Sequence, residues 1–168
     1  MRFLTGVTMM TPGFAQNMTS LREMYFPKNA VTNSGADATF LEYGSPNLVK
    51  IVMPNTYQRI KRYSFQNSNK ATIIIGDPVH GSSILSINNW HALIAASKIV
   101  IYSQTPPYWS NNDSSFAKAS PRGADSLPNN CKVYVPDSAV DTYKNSGADM
   151  WGNYASRIYP ISEFEGEL

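Results

Sequence analysis

The sequence has little of what catalytic and metal-binding proteins use. It carries one cysteine, Cys131, and two histidines, His80 and His91, among 168 residues. A single cysteine excludes an intramolecular disulfide and any cysteine-based zinc cluster. The histidines stand eleven residues apart, one in a turn sequence and one in a helical pattern, which matches no familiar zinc spacing. Nucleophilic use of Cys131 would need a neighbouring base. Its place between an asparagine pair and a strand reads instead as a half-buried structural thiol. No GxSxG, HExxH, P-loop or GxGxxG occurs. No catalytic residue, metal ligand or cofactor is assigned, and the chain reads as non-enzymatic.

Charge is also sparse. Charged residues make up 15% of the chain and the formal net charge is +2, too little to argue for a nucleic-acid partner. No stretch approaches the ~20 apolar residues of a membrane span. The opening "MRFLTGVTMMTPGFAQ" is broken by Thr5, Gly6 and Thr8, so it gives no clear signal peptide. What the chain does have is a folded composition, 42% hydrophobic, with ten tyrosines. Tyrosine gives contact area at low entropic cost and suits recognition surfaces.

A short strand signal recurs. It is centred on Met24 in "LREMYFP", Ile51 in "LVKIVMP", Ile73 in "ATIIIGD", Ile99 in "SKIVIYS" and Val133 in "CKVYVPD". The steps are 27, 22, 26 and 34 residues. Three of the four fall within the roughly 20–29 residues of a leucine-rich repeat. Each strand ends at a turn residue (Pro27, Pro54, Gly76, Pro136), with the fourth delayed to Pro106 and Pro107. Polar turns rich in Asn and Ser precede the strands, where these residues bond locally to backbone. One such unit cannot bury its own apolar face, and stacking makes a continuous core. The fold expected is an α/β repeat: a short leucine-rich-repeat-like solenoid with one mainly parallel β-sheet and a helical C-terminal cap.

Residues 1–136 carry the repeats, with two interruptions. "INNWHALIAASK" spaces Ile87, Trp90, Leu93 and Ile94 helically, predicting a helical insertion over 87–97. Residues 108–130 form a long polar loop, which accounts for the 34-residue step. Residues 137–168 are the cap and tail. "PDSAVDTYKNSG" predicts a helix capped by Asp137 and stopped at Gly147. Trp151, Tyr154 and Ile158 predict a second short helix, with Trp151 packing on Tyr143 or Ile158 to seal the last repeat. Glu163, Glu165 and Glu167 fall in a tail expected to fray.

Side chains alternate across a strand, so each repeat splits into two sets. One set is uniformly apolar and belongs to the core: Met24, Ile51, Ile73, Ile99 and Val133, each with the residue two positions on. The other set forms two rows, Glu23, Lys50, Thr72, Lys98 and Lys132 beside Tyr25, Val52, Ile74, Val100 and Tyr134. A solvated sheet face is normally polar. An apolar row rimmed by lysines either marks an interface or reflects strand propensity alone, with a loop or a neighbouring copy covering it. Tyr25, Lys50, Val52, Ile74, Lys98, Val100, Lys132 and Tyr134 are therefore the candidate ligand-binding residues.

"LREMYFP", "LVKIVMP", "RIKRYSFQNSNKATIII" and "KIVIYSQTPPYW" resemble the BspA-like leucine-rich repeats of bacterial surface proteins. The tail from Cys131 onward resembles the closing segment of such proteins from gut anaerobes. The resemblance spans roughly residues 14–168. It implies a non-catalytic binding module, extracellular or at the cell surface, that mediates adhesion. Its partner would be a protein or glycan ligand, such as host matrix or another bacterial surface, with no nucleic acid and no membrane span. The alternative is a structural or receptor-binding component of a phage or prophage fibre.

Overall fold

A computed structural model describes residues 18–27, 46–60, 65, 68, 70–88, 92–93, 96–111, 127–147 and 150–168. Its main sheet has six strands: β1 (Glu23–Tyr25), β2 (Lys50–Met53), β4 (Thr72–Ile75), β6 (Lys98–Ile101), β8 (Lys132–Val135) and β9 (Ile158–Pro160), in that spatial order. Every neighbouring pair is parallel. Each of the five recurring phrases supplies one strand, so the repeats do stack into one mainly parallel sheet. Parallel neighbours need a crossover between them, and between β8 and β9 that crossover is the helical cap.

The register puts Met24, Ile51, Ile73, Ile99, Val133 and Ile158 opposite one another in a single row. Each of these six is at most 1% exposed. They are the inward set, at roughly 1.5–3 kcal/mol for each large aliphatic removed from water. The turn chemistry ties coil to coil. Asn47 Nδ2 donates to Thr19 O of the preceding coil at 2.9 Å, and Ser97 Oγ donates to Ala71 O at 3.0 Å. Gly76, at φ 91°, closes the third strand where a Cβ would lie 2.2 Å from Gly81 O. No side chain fits that approach.

A second, three-stranded parallel sheet lies outside the sequence expectation. It comprises β3 (Arg59–Ile60), β5 (Ser86–Asn88) and β7 (Tyr108–Ser110). Ile60, Ile87 and Trp109 are in register and buried. The helical insertion over 87–97 is thereby corrected at its start, because Ile87 and Asn88 belong to β5. Ladder pairing with two neighbours outweighs a local helical pattern. Leu93, at a bend, is also buried. Trp90, His91 and Ile94 lie outside the described residues, as does most of the loop at 108–130, whose first three residues are β7.

The cap follows β8. Asp137–Ala139 is one 3₁₀ turn, leading into α1 (Val140–Lys144). Gly147 stops it at φ 92°, as its sequence position predicts. Trp151 is fully buried, 5.7 Å from the Tyr143 ring, 5.0 Å from Trp109 and 6.3 Å from Tyr154. Its Nε1 donates to Pro107 O at 2.7 Å, and Trp109 Nε1 donates to Met150 O at 3.0 Å. The two indoles thus tie the cap to the last coil in both directions. The second predicted helix is a 3₁₀ segment, Gly152–Arg157, and Ile158 has left it for β9. Trp151 and Tyr154 still share a face because a 3₁₀ helix repeats every three residues. Ile-Tyr-Pro is a strand sequence, and Pro160 is tolerated because β9 is an edge strand.

Candidate ligand-binding face

The register aligns Tyr25, Val52, Ile74, Val100, Tyr134 and Tyr159 in one outward row, and Glu23, Lys50, Thr72, Lys98 and Lys132 in the next. The eight candidate residues therefore share one face of the main sheet. They do not share one environment. Tyr25, Lys50, Val52 and Lys98 are half-buried and Lys132 is exposed. Ile74 is 3% exposed, Val100 0% and Tyr134 4%. The expectation of an open apolar row is corrected at these three positions.

Part of the cover is the chain's own C-terminus. Ile74, Val100, Tyr102 and Tyr134 form a second apolar cluster, packed against by Val52, Tyr159, Ile161 and Phe164. Phe164 meets Tyr134 edge to face, with centroids 5.0 Å apart and planes at 89°, a favoured aromatic geometry. Tyr159 lies 5.8 Å from Tyr134. Lys98 Nζ sits 5.2 Å from the Phe164 centroid and donates to Glu165 O at 2.8 Å. Lys132 Nζ sits 5.5 Å from the Tyr159 centroid. Two lysines of the predicted rim thus hold the tail, with their charge over aromatic faces.

Sequence reasoning missed this docking, and it misread Asp137. The helix that follows Asp137 has no side-chain cap. Instead, Ser162 N donates to Asp137 Oδ1 at 3.1 Å. Hydrogen bonds from the Ser162 hydroxyl and its backbone N–H hold this carboxyl below its usual value of 3.8. The tail expected to fray is therefore tied at Ser162, within its single turn Ile161–Glu163, and at Glu165 O just beyond it. A signal was available: Phe164, flanked by Glu163 and Glu165, complements a face of lysines and apolar residues.

A second concavity of about 700 Å³ opens where the turn after β4, the segment before β7 and α1 meet. Leu85, Pro106, Tyr108 and Met150 supply apolar surface, and Ser83, Thr142 and Asn145 supply hydroxyl and amide groups. Among the described residues, its lining holds no acidic or basic side chain.

Cys131 is fully rather than half buried, and burial pushes its thiol up to about 12, so the reactive thiolate is disfavoured. His80 is exposed in the turn after β4, its Nδ1 2.9 Å from Asp77 Oδ1. Asp77 also accepts from the backbone N–H groups of Val79 and His80, which closes the turn. Among the described residues, no three His, Cys, Asp or Glu side chains are grouped to hold a metal, and no helix is long and apolar enough to cross a membrane.

Comparison with known proteins fits this architecture. No curated protein and no solved structure matches the chain. A family model does: the BspA-type leucine-rich repeat region of six copies matches residues 2–72 and 40–90. The two stretches together cover more than half of the 168 residues, and the tail from Cys131 lies beyond them. With four of its strands repeating at leucine-rich spacing and five recurring strands stacked in parallel register, the chain belongs to the BspA-type leucine-rich-repeat family.

Proposed function

We propose that this chain is a non-catalytic binding module of a bacterial cell-surface or secreted protein, and that it mediates adhesion by engaging a protein ligand on the outward face of its main sheet. Repeats of this family typically form non-catalytic binding folds, and the proteins that carry them are typically surface-associated. The observation that carries the reading is the outward row itself. It is apolar or aromatic at six successive rungs and flanked by three lysines. Tyr25 and Val52, with Lys50 in the neighbouring row, form the half-buried stretch of that face farthest from the docked tail. A tyrosine anchor beside an apolar patch is a common hot-spot arrangement, and the lysines would set association rate and salt dependence.

The test is an array of matrix proteins and glycans probed with the intact chain and with a Tyr25→Ala, Val52→Ser double variant. Loss of a hot-spot tyrosine costs about 2 kcal/mol, roughly thirtyfold in affinity. Unchanged binding by a folded double variant would remove the sheet face from the reading.

The uncharged concavity favours a second reading. Apolar surface beside neutral hydroxyl and amide groups suits an uncharged glycan, and the described lining offers no charged side chain to a charged one. A glycan hit lost on Tyr108→Ala and retained in the Tyr25, Val52 variant would select it.

A further inference from the structure

The tail touches the outward face with the Phe164 ring, the Ile161 side chain and one backbone carbonyl, Glu165 O, and what it touches is specific. The seat is bounded by Lys98, Lys132, Tyr134 and Tyr159. We propose that this seat is a docking site for an extended peptide segment carrying an aromatic residue between acidic ones, and that the chain's own segment around Phe164 occupies it as an intramolecular competitor. The proposal rests on the reading of the outward face as the recognition surface, and it names both the ligand class and the control.

Three observations carry it. First, an occupant of this chemistry is seated there. Phe164 stands edge-on to Tyr134 with the Lys98 ammonium above it, and Lys98 bonds the next carbonyl, Glu165 O. A lysine bound to a main-chain carbonyl reads any extended peptide, whereas the aromatic seat selects a ring at one position. Two lysines on the seat and a glutamate on either side of Phe164 make the charges complementary.

Second, the occupant is lightly held. Beyond β9 the backbone forms one 3₁₀ turn, Ile161–Glu163, with no buried residue. Its ties to the body include Ser162 N to Asp137 and Glu165 O to Lys98, together with the half-buried Ile161 and Phe164 side chains. The strand does not continue into it, because pairing with β8 ends at Pro160. Hydrogen bonds to solvent-exposed charged groups are individually weak, so such a segment is displaced at small cost.

Third, the occupant does not fill its seat. A groove of about 450 Å³ remains between Lys132, Tyr134 and Tyr159 on one side and residues 162–165 on the other. A larger ring, or a segment running on toward Val52 and Tyr25 along the same row, has space and surface to gain. A partner would then win by added contacts against a tethered competitor. The tether gives that competitor an effective concentration of order millimolar, which lowers apparent affinity for anything in solution.

The experiment uses the whole chain and the tail's own sequence as probe. A fluorescent peptide, ISEFEGEL, is titrated onto the intact protein and onto Phe164→Ala, which vacates the ring position without shortening the chain. The expected result is at least ~tenfold tighter binding to Phe164→Ala than to the intact protein, from loss of self-competition. Binding should fall in Lys98→Gln and vanish for ISEAEGEL. Equal affinity for intact and Phe164→Ala protein, or equal affinity of the two peptides, overturns the proposal. So does a concentration-dependent dimer of the intact chain that Phe164→Ala abolishes, since that would make the occupant a second copy's tail. These failures are distinguishable from failure of the adhesion reading. An array ligand lost in the Tyr25, Val52 variant would stand even if the peptide never bound.

Discussion

Val52 and Val100 are the same residue type, on the same face, in the same row of one parallel ladder, two strands apart. Val52 is half-buried and Val100 is completely buried. The repeat did not create that difference, because both strands present the same Lys-Ile-Val phrase in the same register. At the C-terminal end of the sheet, Tyr159 and Phe164 from beyond the last repeat close over the row. Accessibility of a repeat surface is thus set in part by a segment that is not a repeat. The stacked phrase makes the surface, and the closing segment decides how much of it a ligand can reach.

The comparison can be broken most forcefully at the structure that anchors the covered end. Trp151 joins Trp109, Tyr143 and Tyr154 in one aromatic stack and satisfies Pro107 O. Trp151→Ala should destabilise the protein by about 3–5 kcal/mol, as large aromatic truncations in cores do. The fall in midpoint of a denaturant titration measures it. A loss under ~1 kcal/mol would mean that the stack does not seal the solenoid.

The valine pair sharpens the comparison directly. Each Val→Ala removes two carbons, at ~0.8 kcal/mol apiece where burial is complete, plus a cavity term. Val100→Ala should therefore cost about 2 kcal/mol and Val52→Ala under about 1 kcal/mol. Repeating the pair in a Phe164→Ala background should narrow the gap, since the tail is part of what covers Val100. Equal costs in the wild-type background would show that the two positions are equivalent in solution.

Most of this arrangement was legible in the residues. The inward and outward rows follow from strand alternation, and the register reproduces them rung by rung from Met24 to Val133. Three features were not legible, each for a physical reason. The strands β3, β5 and β7 have two or three residues, too few to display a period of two, and they exist because neighbouring coils pair them. Ile158 continues the three- and four-residue spacing of Trp151 and Tyr154, so periodicity assigned it to a helix. Its β-branched side chain, next to Tyr159 and Pro160, instead adds the sixth strand. The tail reads as polar and aperiodic, with one aromatic residue. Its docking depends on a surface that only the assembled repeats possess. The candidate face was therefore located from sequence, while its cover was not.

The smallest effect should appear at Asp137, where the tail is pinned to the cap. The folded-state pKa of this carboxyl is depressed because Ser162 donates to the charged form. A depressed pKa contributes stability that is present above the unfolded value, 3.8, and lost as pH falls through the folded one. Protonation leaves only a weaker neutral acceptor for Ser162 N, so the tail should loosen only below the ordinary carboxylate range. Asp137 is solvent-exposed, which keeps the consequence local and small. The Ser162 amide resonance, followed by NMR, should move with a midpoint below 3.8 in the wild type. It should stay flat over that range in Asp137→Asn, whose amide oxygen still accepts but does not titrate. A midpoint at or above the ordinary value, or the same titration in the asparagine variant, would show that the covered end of the face is held by Phe164 and Lys98 alone.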